Sequence, residues 1–185
     1  MSAACAGRIN ISDLDDFDLL VKTYRAKLLR LVAFSTGDPD LSETIVQDCF
    51  LKAYKNREGF RGDCSVSTWL YTIALNIMSD YQRLQKFQFW KRADRTAVDL
   101  TDVNSALASP DPSPETRMLA GEQANRVQLA LKALPSKQRT VFIMRFLDEM
   151  DVKDIARATG MSLSTVKTHI HRSMKAVRFR LGAIR

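Results

Sequence analysis

Apolar residues recur at helical spacing along most of the chain. Phe17, Leu20, Val21, Tyr24, Leu28, Leu31 and Val32 mark one face of an amphipathic helix over roughly residues 13 to 35. The run Ser35-Thr-Gly-Asp-Pro-Asp40 breaks it. Leu41, Ile45, Val46, Cys49, Phe50, Ala53 and Tyr54 then predict a second helix ending near Asn56, with Ser42 or Asp40 as its start. After the polar, Gly-containing loop Arg57 to Ser65, a third helix is predicted from about Val66 to Lys86, carrying Trp69, Leu70, Ile73, Ala74, Ile77, Tyr81 and Leu84 on one side. A fourth segment is placed either in the region before that loop or as a short piece near Phe87 to Trp90. Residues 91 to 114 lose the period and gather Pro110, Pro112 and Pro114, as a linker does. Beyond it, Met118, Ala120, Ala124, Val127, Leu131 and Leu134 predict another helix. Pro135 opens the next, with Val141, Ile143, Met144 and Leu147 as its apolar face. No segment reads as a strand. The expected class is all-α: two small helical domains, 13–90 and 115–185, joined by a flexible linker over 91–114.

The C-terminal 35 residues narrow the chemistry. A short helix holding Ile155 and Ala156 stops at Gly160, which tolerates the positive φ of a tight turn. Ser162 is placed to cap a second helix with Val166 and Ile170 one turn apart. This is the layout of a helix-turn-helix, whose second helix enters the DNA major groove. Its outward positions Thr165, Lys167, Thr168, His171, Arg172 and Lys175 are donors and cations, and Ser164 joins Thr165 at the helix start, where backbone N–H groups meet phosphate. His169 falls toward the apolar side. The formal charge is +7 with a pI near 9.5, and Asp151 to Arg185 holds eight basic residues against two acids. Charge concentrated on a recognition helix is a phosphate-binding footprint.

Other chemistries find little support. Cys5, Cys49 and Cys64 show no CxxC spacing, so neither a disulfide framework nor a zinc site is expected. No nucleophile–base pair, metal-ligand cluster or Gly-rich phosphate loop points to an enzyme, and no cofactor or metal is expected. The chain has no long apolar run and a start too short and polar for a signal peptide, so a cytosolic protein without membrane insertion is expected. A conventional repressor would use the same helix-turn-helix, normally as a dimer on palindromic half-sites.

Four stretches decide between these. They are Asp40-Leu-Ser-Glu-Thr-Ile-Val-Gln-Asp-Cys-Phe-Leu-Lys-Ala-Tyr54, Phe60-Arg-Gly-Asp63, Ser67-Thr-Trp-Leu-Tyr-Thr-Ile-Ala-Leu-Asn76, and Ala133-Leu-Pro-Ser-Lys-Gln-Arg139 with its helix-turn-helix. In this order they resemble a bacterial RNA polymerase sigma factor of the small, two-domain extracytoplasmic-function group, over roughly residues 14 to 182. The resemblance implies that the second helix docks on core RNA polymerase through Gln47, Asp48, Phe50 and Leu51. It implies a reader of the minus-ten promoter element built from Phe60, Arg61, Asn76, Arg83 and Lys86, with Lys91 and Arg92 as further phosphate contacts. An unstacked base held on an aromatic face suits that task. Asn76 is expected on the inner part of its helix, and spacing with Ile73 and Ile77 places Trp69 in the core. Minus-thirty-five duplex contacts fall to Ser164, Thr165, Lys167, Thr168, His171, Arg172 and Lys175. The resemblance further implies an anti-sigma partner and release by a stress or envelope signal. Leu75 stands where family members often carry Arg, and Gln82, Leu84 and Gln85 dilute a basic cluster, which bears on upstream phosphate contacts.

Overall fold

The computed structural model describes residues 16–93 and 126–182, with side chains as far as Leu84 in the first segment, Pro39 excepted. Every element in these segments is helical. Helix α1, Phe17–Thr36, starts where the Asp16 side chain accepts from the Leu19 N–H at 3.0 Å, and ends at Gly37 in the left-handed region (φ 75°). Leu20, Tyr24, Leu28, Leu31 and Val32 form its buried stripe, the spacing seen in the sequence.

Helix α2, Pro39–Lys55, is capped by Asp38, whose carboxylate accepts from the Leu41 N–H at 3.0 Å. Neither Ser42 nor Asp40 serves as the cap. Ser42 is buried and donates to the Asp38 carbonyl at 2.5 Å, because Pro39 at the first helical position shifts the start upstream. Helix α3, Val66–Ala93, runs on through the stretch assigned to a separate piece near Phe87 to Trp90. Ser65 Oγ accepts from the Thr68 N–H at 3.2 Å at its start. Ile45, Val46, Cys49, Ala53, Leu70, Tyr71 and Ala74 fill the space between α1, α2 and α3.

The second segment opens with a helix described over 126–132, here α4. Helix α5, Ser136–Phe142, widens into a π-helical turn over Ile143–Leu147, followed by α6, Val152–Thr159, and α7, Leu163–Gly182. Leu131, Leu134 and Val177 form a small core of their own, with Phe34 of α1 packed against it.

The two segments do not stand apart. Val141, Ile143, Met144, Met150, Ile155, Ala158 and Val166 belong to the same buried cluster as Leu28, Leu70 and Tyr71. Polar ties cross the seam as well: Arg30 pairs with Asp148 and donates to the Leu147 carbonyl, Arg139 donates to the Phe34 carbonyl at 2.7 Å, and Arg157 donates to the Asp63 carbonyl. The expected linker lies outside the described residues from position 94 onward.

Cys49 is buried between helices, and its thiol donates to the Leu70 carbonyl at 3.5 Å. Burial pushes this thiol up to about 12, with Lys52 opposing. Since the thiolate is the nucleophile, a maleimide at pH 8 is expected to label the half-buried Cys64 in the native chain and to spare Cys49 until denaturant is added. Mass spectrometry of the two peptides checks this; native labelling of Cys49 at the Cys64 rate would contradict it.

Candidate nucleic-acid interface

Helix α7 presents the side opposite its buried stripe to water. Val166 and Ser173 are fully buried and Val177 nearly so, which turns the opposite side outward. Ser164, Thr165, Lys167, Thr168, His171, Arg172 and Lys175 are all exposed. The turn before it has the expected geometry: Gly160 sits at φ 68°, and the Thr165 N–H donates to Ser162 Oγ at 3.2 Å. A Cβ at Gly160 would meet nothing within 4 Å, so glycine is needed for its backbone conformation and not for space. The helix carries no carboxylate, and among the described residues none of its cations is ion-paired. His169 is half-buried with Nδ1 enclosed and unpartnered, consistent with its place toward the apolar side.

The second cluster lies at the start of α3. The loop after α2 closes with a 3-10 turn, Arg57–Gly59, and reverses at Gly62 (φ 72°). It leaves the half-buried Phe60 ring 5.0 Å from the Trp69 ring, at an interplanar angle of 42°. Trp69 therefore has two roles, since it packs on the core and also backs Phe60. Arg61 is exposed beside this pair. Asn76 is exposed too, not on the inner side of its helix, because Ile73, Ala74, Ile77 and Met78 take the inward positions. It lines a cleft of about 420 Å³ between α3 and the α5–α6 region. Arg83 is exposed further along α3, with Asp80 at 3.9 Å, an ion pair that counts for little at such exposure. Lys86 lies on the same helix, but its side chain, like those of Lys91 and Arg92, is outside the described residues.

The surface of α2 forms a third cluster. Gln47 is exposed, and Asp48 is half-buried and accepts from the Tyr81 hydroxyl at 3.0 Å. That hydrogen bond raises the Tyr81 phenol above its ordinary range. Phe50 does not supply exposed apolar area. It is only 8% exposed and meets Phe17 edge-to-face, so it belongs to the core. The apolar area beside Gln47 comes from Leu51, 52% exposed, and from Tyr54, whose exposed ring lies under the Arg57 guanidinium at 4.0 Å. Gln47, Leu51 and Tyr54 follow one another at i, i+4 and i+7, the spacing of one helix face. That periodicity was present in the sequence and identifies Tyr54.

The described residues thus combine an exposed cationic helix after a helix-turn-helix bend, an aromatic pair beside exposed polar groups, and an amphipathic stripe on α2. Two family models match the chain: Sigma-70 region 2 over residues 20–88, and Sigma-70 region 4 over residues 124–177. The chain is 30% identical to the ECF RNA polymerase sigma factor SigW of Bacillus subtilis, over 94% of its length and 93% of that protein. It is 32% identical to the ECF RNA polymerase sigma-E factor of Escherichia coli K12, covering 92% and 88%. The chain belongs to the extracytoplasmic-function sigma factors of the sigma-70 family, which are transcription initiation factors. Its fold is similar to that of RpoE from Bartonella quintana, solved with the anti-sigma factor NepR (TM-score 0.71, 21% identity, 92% of this chain and 99% of that one). It is also similar to CnrH, solved with the cytosolic domain of CnrY (TM-score 0.63, 20% identity, 94% and 95% covered). Among the described residues, no helix is long and apolar enough to cross a membrane.

Proposed function

We propose that this sigma factor acts in the cytoplasm, without chemistry of its own, through three separate surfaces. Gln47, Asp48, Leu51 and Tyr54 dock on core RNA polymerase, while Phe50 supports that surface from beneath. Phe60, Arg61 and Asn76 hold bases of the melted minus-ten element, with Arg83 and Lys86 on its backbone. Ser164, Thr165, Lys167, Thr168, His171, Arg172 and Lys175 grip the minus-thirty-five duplex. The observation that carries this reading is the exposure of all seven of these α7 side chains on a helix without carboxylates. An anti-sigma protein covers the docking stripe when the factor is held in reserve for a stress or envelope signal. Exposed Leu51 and Tyr54 favour such a partner, as does the likeness to a factor solved with NepR.

The two kinds of α7 contact separate experimentally. A bidentate Arg–guanine pair adds about 1–3 kcal/mol of discrimination, whereas Lys to phosphate adds affinity without sequence preference. Holoenzyme assembled from core polymerase and this chain is expected to retain genomic fragments that share two spaced motifs. Arg172→Ala should relax the upstream motif at one position, roughly 5- to 150-fold in preference. Lys167→Ala should weaken retention evenly and flatten its salt dependence. Sequencing the retained fragments checks both. Retention of fragments without an upstream motif by the unaltered chain would overturn the α7 assignment.

A further inference from the structure

We infer that the cavity where α1, α2 and α3 meet receives one cationic side chain, an arginine or lysine, from core RNA polymerase. The inference rests on the docking face assigned above to α2. The cavity measures about 240 Å³ and is lined by Ser35 and Thr36 at the end of α1, Asp38 and Leu41 at the start of α2, and Tyr81 and Gln82 of α3. Its chemistry suits a hydrogen-bond donor. The Ser35 hydroxyl donates to the Leu31 carbonyl at 2.7 Å, the Thr36 hydroxyl to the Val32 carbonyl at 2.9 Å, and the Tyr81 hydroxyl to Asp48 at 3.0 Å. With these hydrogens committed elsewhere, the three oxygens have only lone pairs left to offer. Asp38 uses one carboxylate oxygen to cap α2, accepting from the Leu41 N–H, and its other oxygen has no partner among the described residues. No Lys, Arg or His lines the space. Helix α1 also ends here without a basic residue in its last turn, so the negative end of its dipole is unmatched. The positive end of α2 already has Asp38 and Asp40. A phosphate here would face a carboxylate with no cation to offset it, so a DNA strand is not the occupant.

The position of the cavity identifies polymerase as the source of the cation. Leu41 and Asp48 lie two turns apart on one side of α2, about 10 Å along its axis. Tyr81 joins the two places, since it lines the cavity and holds Asp48. Asp48 in turn borders the stripe of Gln47, Leu51 and Tyr54. A partner seated on that stripe therefore reaches the cavity with one long side chain. The space is too small for a helix, whose diameter with side chains is about 10–12 Å. Asp38 and Gln82 are exposed at its rim, and Ser35, Thr36, Leu41 and Tyr81 are half-buried, so the way in is open.

The test titrates labelled core polymerase with the full chain, using Leu51→Glu as the reference for loss of the α2 face. Gln82→Lys places an ammonium at the cavity rim and should weaken core binding about tenfold or more, because a like charge now meets the arriving cation. Gln82→Glu should tighten binding about threefold, for the opposite reason. Asp38→Asn keeps a competent helix cap while removing the charge, and should weaken binding about threefold. Circular dichroism and thermal melts verify that each variant is folded. Weakening by both Gln82→Lys and Gln82→Glu would be a response to shape and not to charge, and overturns the inference. Parental affinity in Gln82→Lys and Asp38→Asn, with Leu51→Glu impaired, overturns the cavity site and leaves the α2 face standing. If Leu51→Glu also binds normally, the α2 face fails and the inference falls with it. A rise in the melting temperature of the free parent with spermidine, abolished by Gln82→Lys while core affinity stays parental, would assign the cavity to a small soluble cation and overturn polymerase as the source.

Discussion

Leu51→Glu is expected to leave the chain folded and to weaken its binding to core polymerase by about 30-fold or more, the loss of a central interface side chain contributing at least about 2 kcal/mol. Leu51 is 52% exposed, so no internal packing is lost when it is replaced. It sits between Gln47 and Tyr54 on one face of α2, and a carboxylate there would be desolvated on docking without a partner. Asp48→Arg should also abolish docking, with an added cost, because it removes the acceptor of the Tyr81 hydroxyl and loosens α2 against α3. Phe50→Ala provides the contrast. That side chain is core, and its truncation should lower stability by about 3–5 kcal/mol. Titration of labelled core polymerase, read alongside thermal melts, separates the cases. Normal core affinity for Leu51→Glu would move the docking surface off α2.

Phe60→Ala is expected to spare polymerase binding and duplex binding and to reduce formation of the open complex by roughly 5- to 150-fold, the range set by about 1–3 kcal/mol of base–aromatic stacking. Trp69 lies 5.0 Å behind the Phe60 ring and partly packs on the core, so it backs the pair without replacing its outer partner. Asn76→Ala should produce a smaller deficit confined to particular base identities, since an exposed amide reads an edge by hydrogen bonds. Permanganate reactivity of melted thymines in preformed holoenzyme complexes measures both. Undiminished melting with Phe60→Ala would remove the aromatic pair from the reader.

The helices were legible because their signals are local. The α1 stripe, the turn glycine at 160 and the Ser162 cap each follow from spacing over a few residues, and each has its counterpart in the structure. Errors arose where two adjacent residues compete for one side of a helix. Phe50 and Leu51 are both apolar and point about 100° apart, so only one can face inward. Val46, Cys49 and Ala53 settle that it is Phe50. By the same logic Ile73, Ala74, Ile77 and Met78 turn Asn76 outward. The start of α2 is ambiguous in the sequence because Asp38, Asp40 and Ser42 are all competent caps, and Pro39 at the first helical position selects Asp38. The packing of the two halves was not legible. Arg30 and Asp148 are 118 positions apart, and each alone reads as an ordinary surface charge.

As a sigma factor, this chain is expected to give core polymerase its promoter specificity. The most direct measurement is multi-round run-off transcription from genomic fragments, using bacterial core polymerase with and without the purified chain, with start sites mapped from the products. Discrete new starts are expected that need the chain, share two spaced upstream motifs, and disappear with Leu51→Glu. Binding of the folded, inhibitor-free chain to DNA without any new start, or starts unaffected by Leu51→Glu, would contradict it.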